Sequence, residues 1–289
     1  MKNYDILVPT DLSEFGNKSF HTAEKIRRAL NGTITPMHTF KEVIWPDGIS
    51  MPNINEVLSD EIKQRVASKL ESLASKFTDE SGINPSVITY GDPFNRIMNE
   101  AKTRDLVVMT THGRKGFKKA LLGSVAEKMI RNSPVPVLVT RGRELKSEAS
   151  EFTKILITTD FSDASYKALP YAAEILRNSD ATATLLNIIS LEHTGTMKEG
   201  EKIEHKAKKQ IELVKNEHFA EFGDRVKIMT DVSTNSPQVA INKILNAGGY
   251  DLLIISTLGK SALKYMLIGS NAASLARTAN SPVLVVNSQ

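Results

Sequence analysis

"YDILVPTDLS", residues 4–13, is an apolar run that ends in a polar tip, and "TKILITTDFS", residues 153–162, repeats it. Asp11 and Asp160 stand 160 − 11 = 149 positions apart. The likeness continues to the end of each half, because Gly123 and Gly269, and Pro136 and Pro282, are both separated by 146 positions (269 − 123 and 282 − 136). Two similar halves of about 145 residues are two domains, far longer than a solenoid unit. The join, "TRGRELKSEASEFT", is charged, small and polar and reads as a surface linker. The expected division is a first domain over 1–143, a linker over 144–152 and a second domain over 153–289.

Each half alternates apolar, β-branched runs with helical periodicity. In the first half "YDILVP", "TITPMHTF", "PSVITY", "DLVVMTT" and "VPVLVT" are strand candidates. Between them, Phe15, Ser19, Ala23, Ile26 and Leu30 form one helical face before an Asn31-Gly32 stop, and Leu58, Ile62, Val66, Leu70, Leu73 and Phe77 form a longer one. The second half repeats the order with "KILITT", "ATATLLNIIS", "RVKIMTD", "DLLIIST" and "PVLVVN", and its long helix carries Ile203, Ala207, Ile211 and Val214. Continuous apolar strands alternating with helices indicate parallel sheets covered on both faces. The expected fold is α/β: two similar doubly wound domains, each a five-stranded parallel sheet in the order 3-2-1-4-5 with helices on both faces.

Composition narrows the function classes. The 289 residues are 40% hydrophobic with a formal net charge of +4 drawn from mixed signs, which is no nucleic-acid footprint. No run approaches a membrane span, and "MKNYDILVPTD" meets an acidic residue too early for a secretory signal, so a cytoplasmic address without membrane or nucleic-acid partners is expected. With no cysteine there are no disulfides, thiolate metal sites or cysteine nucleophiles.

In open α/β sheets ligands bind beyond the carboxyl ends of the strands where the strand order reverses. There the first strand ends in Pro9-Thr10-Asp11, the fourth in Thr110-Thr111-His112-Gly113, and Gly123-Ser124-Val125 opens the next helix. Glycine admits close backbone approach to phosphate oxygens, and a helix N-terminus adds unpaired N–H groups and a positive dipole end. Ser124 supplies a hydroxyl, Arg114 with Lys115, Lys118 and Lys119 raises the positive potential, and Asp11 is acceptor-only, suited to an adenine amino group or a ribose hydroxyl. Each piece also has an ordinary reading. Ser13 and Ser124 suit helix N-caps, Gly113 and Gly116 suit turns, and the lysines suit a solvated face.

Taken together, these residues resemble the universal stress protein family in its tandem two-domain form. Its nucleotide-binding members carry a glycine, two residues, a second glycine, nine residues, then Gly-Ser or Gly-Thr. Here His112-Gly113 is followed by "RKGFKKALL" and Gly123-Ser124, and Leu258-Gly259 by "KSALKYMLI" and Gly269-Ser270. The resemblance implies ATP or ADP, with Mg²⁺ as a candidate companion, at a site including Pro9, Thr10, Asp11, Thr39, Thr110, His112, Gly113, Arg114, Gly116, Gly123, Ser124 and Val125. Its second-half counterpart would include Asp160, Gly259, Gly269 and Ser270, with Ile188 in the place of Thr39. Both halves depart at the first glycine, which is Thr110 or Ser256, and the second half also has Thr158 for Pro9 and Leu258 for His112. The first half is therefore the better candidate. In that family the final strand mediates dimer contacts, which implies that the two halves pair as an intramolecular pseudo-dimer; a homodimer of whole chains stays open.

Other chemistries are not supported. There is no G-x-x-x-x-G-K-[ST] and no G-x-G-x-x-G after a strand, and the six histidines are scattered without metal-ligand spacing. Asp92 and Asn235-Ser236-Pro237 read as helix caps. The insertion containing Trp45 reads as a loop over a core edge, with a lid or partner surface as the alternative. Three functions remain: a nucleotide-dependent regulator of stress response, a slow ATPase or phosphotransferase drawing on Asp11 and His112, and a scaffold with vestigial pockets. No dedicated catalytic machinery stands out.

Overall fold

The computed structural model describes residues 2–41, 60–111, 122–141, 151–190, 197–257 and 270–287. The first half runs β1 (Tyr4–Pro9), α1 (Glu14–Asn17), α2 (Ser19–Leu30), β2 (Gly32–Phe40), α3 (Asp60–Ala74), β3 (Val87–Tyr90), α4 (Pro93–Ala101), β4 (Leu106–Thr110), α5 (Ser124–Asn132) and β5 (Val137–Thr140). The second runs β6 (Lys154–Thr158), α6 (Asp163–Tyr166), α7 (Leu169–Arg177), β7 (Thr182–Ser190), α8 (Met197–His218), β8 (Val226–Ser233), α9 (Pro237–Gly248), β9 (Leu252–Ser256), α10 (Ser270–Thr278) and β10 (Val283–Val286).

Helix ends follow local chemistry. α2 stops where Asn31 turns left-handed at φ 51 and returns its N–H to the Arg27 and Arg28 carbonyls. α4 starts with Pro93 behind Asp92, whose carboxylate accepts from the Asn95 N–H. Pro237 starts α9 in the same way, although Ser236 at the cap makes no side-chain bond there. The single helical face expected from Phe15 to Leu30 is corrected: the helix breaks at Lys18, which rotates Phe15 outward to 39% exposure while Phe20, Ala23, Ile26 and Leu30 stay buried. In α3, Leu70 is buried but Ile62 is 42% exposed, and Phe77 packs from beyond the helix end; Leu58 lies outside the described residues. On α8, Ala207, Ile211 and Val214 are buried and Ile203 is exposed.

The strands form one ten-stranded sheet in the order β3-β2-β1-β4-β5-β10-β9-β6-β7-β8, so each half has the order 3-2-1-4-5. Pairing is parallel within each half, and β5 meets β10 antiparallel with Leu138 opposite Leu284. Alternate strand residues feed two cores, one on each face. One contains Ile6, Val8, Leu138 and Leu284, the other Leu7, Val139, Val283 and Val285, so both layers cross the seam. A carboxylate fixes the entry to the first strand of each half. Asp105 Oδ2 accepts from the Asp5 N–H at 2.9 Å, and Asp251 accepts from the Thr153 N–H, the Thr153 hydroxyl and the Lys154 N–H at 2.7–3.0 Å.

Candidate functional site

β1 and β4 are neighbours, with Ile6 in register with Leu106 and Leu7 with Val107, so their carboxyl ends share one crevice where the strand order reverses. Beyond β1 the chain makes a loop held by its own side chains. Thr10 Oγ1 accepts from the Leu12 N–H, Asp11 Oδ1 from the Ser13 N–H, and Ser13 Oγ from the Gly16 N–H, each at 3.0 Å. The Ser13 hydroxyl donates in turn to Asp11 Oδ1. Leu12 consequently sits at φ 61, a left-handed conformation that leucine adopts only where its surroundings impose it.

The second half repeats the construction. Thr159 Oγ1 accepts from the Phe161 N–H at 3.0 Å, Asp160 Oδ1 from the Ser162 N–H at 3.1 Å, and Ser162 Oγ from the Ser165 N–H at 3.2 Å. Phe161 stands at φ 62. A strained residue retained at the same place in both copies marks a loop whose shape matters.

The remaining first-half residues gather around this loop in different capacities. Pro9 ends β1 opposite Met37, and Thr110 ends β4 opposite Thr140. Gly123 occupies the cap position of α5, and Ser124 is the first helical residue, not the cap. The Gly123 N–H bonds to the Thr111 carbonyl at 2.6 Å, and a Cβ on Gly123 would come 2.8 Å from that oxygen. Close approach of two backbone segments therefore requires glycine here, at an ordinary φ of −63. Gly123 at the cap has no side chain to offer α5, whose first turn stands at the tip of β4. The Val125 side chain packs on the core. Thr39 Oγ1 lies 2.9 Å from Thr89 Oγ1, tying β2 to β3. His112, Gly113, Arg114, Gly116, Gly259 and Gly269 lie outside the described residues, and Ser270 begins α10.

Asp160 borders a crevice of about 590 Å³ in the second half, together with Phe161, Asn187 and Ile188 from the strand tips and Ile203, Lys206 and Gln210 from α8. That volume lies in the usual range for small-molecule sites. Sequence reading missed these α8 residues, because only the packing of α8 over β7 and β8 brings them there. It also missed His38 and Asn187, buried beneath the two loops, although their common offset of 149 was a signal for them.

Among the described residues no group of three or more His, Cys, Asp or Glu side chains is placed to hold a metal, and no helix is long and apolar enough to cross a membrane.

A duplicated, doubly wound α/β fold with the same loop at the switch point of each half defines a class of tandem α/β proteins. Both halves match the universal stress protein family, over residues 3–141 and 151–287, and the chain belongs to that family as a tandem pair. A universal stress protein of Methanocaldococcus jannaschii is 30% identical over 139 residues, covering 47% of this chain and 81% of that protein. One from Mycolicibacterium smegmatis is 23% identical over 292 residues, covering 98% of this chain and 97% of the relative. The crystal structure of a universal stress protein from Archaeoglobus fulgidus superposes over 100% of both chains with a TM-score of 0.73 at 21% identity, a likeness of fold.

Proposed function

We propose that this tandem universal stress protein is a cytoplasmic, adenine-nucleotide-binding regulator of stress response, with ATP or ADP held in the first half. The observation that carries the reading is the strand-tip pair: the strained Thr10–Ser13 loop beside an α5 N-terminus whose cap residue is a glycine. The fit is physical. Asp11 and the β2 tip at Thr39 offer acceptors for the base and ribose, and Thr110, Gly123, Ser124 and the Val125 N–H offer phosphate contacts, to which the sequence motif adds His112, Gly113, Arg114 and Gly116. Mg²⁺ would enter with the phosphates, since the described residues provide no carboxylate cage. Asp160, Gly259, Gly269 and Ser270 form the weaker candidate in the second half.

Regulation follows from linkage, because a ligand that binds only the folded state stabilises it, by about 2.7 kcal/mol at a concentration 100 times Kd. The antiparallel contact of β5 with β10 supports reading the two halves as an intramolecular pseudo-dimer.

The test is to denature purified, desalted protein, identify and count the released nucleotide, and titrate the stripped protein with ATP and Mg²⁺ by calorimetry. One or two adenosine phosphates per chain are expected. Neither retained nucleotide nor a binding heat would overturn the reading in favour of a scaffold, and ADP formation above a Gly123→Asp control would reassign the crevice to a slow ATPase.

A further inference from the structure

The two outer edges of the ten-stranded sheet are built differently. β3, at one end, is four residues long, and its outward Tyr90 carbonyl is taken by Arg96 Nε at 2.6 Å. β8, at the other end, is eight residues long. α4 and α9 both begin with proline, so the position of Arg96 in the first is that of Ala240 in the second. The arginine that blunts one edge is therefore replaced on the other. A long open edge is a template for another strand, and proteins usually shorten or cover it.

The direction of the open backbone groups in β8 follows from the duplication. Met37 pairs with Val87 and Leu186 with Met229, and Met37 and Leu186 are 149 positions apart, so Val87 corresponds to Met229 and Tyr90 to Val232. On the first edge the Gly91 N–H bonds inward to Phe40 while Tyr90 faces outward. By the same alternation Met229 and Asp231 turn their backbones toward β7, and Ile228, Thr230 and Val232 turn theirs outward.

We propose that a second copy of this chain adds to β8 as an antiparallel strand about a two-fold axis through Met229. In that register Ile228 lies opposite Thr230 of the second copy and both use their outward groups, Val226 lies opposite Val232, and Lys227 lies opposite Asp231. A two-fold contact makes each of these pairs twice. Among the described residues neither Lys227 nor Asp231 makes an ion pair within its own chain. Lys227 is exposed and Met229 is 39% exposed, and Asp231 shares their face of the strand, an apolar and oppositely charged strip that complements itself; Val232, 37% exposed, projects from the other face. Opposite charges and apolar groups facing across a strand pair stabilise it, whereas like charges there repel. The charge pattern selects a second copy over an unrelated peptide, because one strand carries both halves of the match.

Sedimentation of the full-length protein, from micromolar concentration upward, tests the proposal. A dimer is expected, with its dissociation constant raised at least tenfold by Lys227→Asp and by Asp231→Lys, each of which sets like charges opposite one another. The Lys227→Asp/Asp231→Lys double variant restores the opposite pairing and is expected to regain the dimer. Thr230→Pro removes an outward N–H that bonds to no described residue of its own chain and that the partner strand would use, and should yield a monomer with an unchanged circular dichroism spectrum. A wild-type monomer throughout the range, a dimer indifferent to the single variants, or a double variant that stays monomeric would each overturn the proposal.

Discussion

His38 Nδ1 lies 2.8 Å from the carbonyl oxygen of Thr10, and in the second half Asn187 Nδ2 donates to the carbonyl of Thr159 over the same 2.8 Å. The donors are 187 − 38 = 149 positions apart, as are the threonines. A carbonyl only accepts, so Nδ1 carries the proton, and the bond survives whether the ring is neutral or charged. Both donors are buried, His38 at 5% exposure, and each supports the loop that presents Asp11 or Asp160.

The chain thus supplies its own conservative replacement. His38→Asn is expected to keep most of the wild-type stability, whereas His38→Leu strands a buried carbonyl and costs about 1–3 kcal/mol. Urea unfolding of the two variants checks this, and equal losses would show that the ring serves only as filler.

Glu24 on α2 is buried and bound by three donors: Arg27 at 2.7 and 3.0 Å, Arg28, and the Thr78 hydroxyl at 2.6 Å. Burial alone would raise its pKa, but the hydrogen bonds from Arg27, Arg28 and Thr78 outweigh it and hold the carboxyl below its ordinary value of 4.5. A group depressed on folding contributes stability that is fully present above 4.5 and lost as pH falls through the folded value. Glu24→Gln should therefore cost about 1–3 kcal/mol at pH 7, discounted for the partly exposed arginines, and progressively less as the pH drops below 4. Denaturant titrations at the two ends of that range measure the difference.

Lys25, beside it, is 2% exposed, with its ammonium 5.9 Å from the centre of the Phe152 ring. Burial lowers its pKa below the usual 10.5, and the field of Asp251 offsets this only in part. Between the folded and unfolded values the unfolded chain binds more protons, so this group makes stability rise with pH across that window. Lys25→Met removes the cost of burying the charge. It is expected to stabilise the protein by on the order of 1 kcal/mol at pH 7, with the gain shrinking toward pH 10.5. A melting temperature that falls at pH 7 would mean that the ammonium is satisfied where it sits.

Gly123→Ala places a methyl group 2.8 Å from the Thr111 carbonyl oxygen, which the backbone must relieve by moving α5 away from β4. The expected cost is about 1–3 kcal/mol, together with weaker retention of nucleotide. Ser124→Ala touches neither contact and should leave stability within about 0.5 kcal/mol, because Ser124 is exposed and is not the cap. Thermal melts of the two variants separate the packing role of the glycine from any role of the hydroxyl.

Much of the architecture was written in short stretches of chain. The alternation of apolar runs with helical periods follows from patterns spanning a few residues, since strand period, helix period and caps are local properties; the duplication at offsets of 149 and 146 shows in comparing the halves, and the order 3-2-1-4-5 was expected from the crossover rule for doubly wound sheets. Local periodicity did not show every break. α1 and α2 read as one face, yet the chain breaks at Lys18 and turns Phe15 to solvent.

The parts of the site that depend on partners far along the chain came only from the folded structure. Thr10 and Asp11 stood out by position, but that their side chains hold the loop with Leu12 at φ 61 is decided by how the chain turns back on itself. That Gly123 is required by the Thr111 carbonyl, and that His38 reaches Thr10, depends on strand register and backbone proximity. The same holds at the seam, where the Arg141 guanidinium reaches the Thr278 and Ala279 carbonyls at 3.4 and 3.5 Å and Asn287 donates to the Ser133 carbonyl. By itself the sequence determined which residues are strand, helix and tip. The tertiary structure decided which of them meet, because hydrogen bonds and close packing are short-ranged in space and indifferent to separation along the chain.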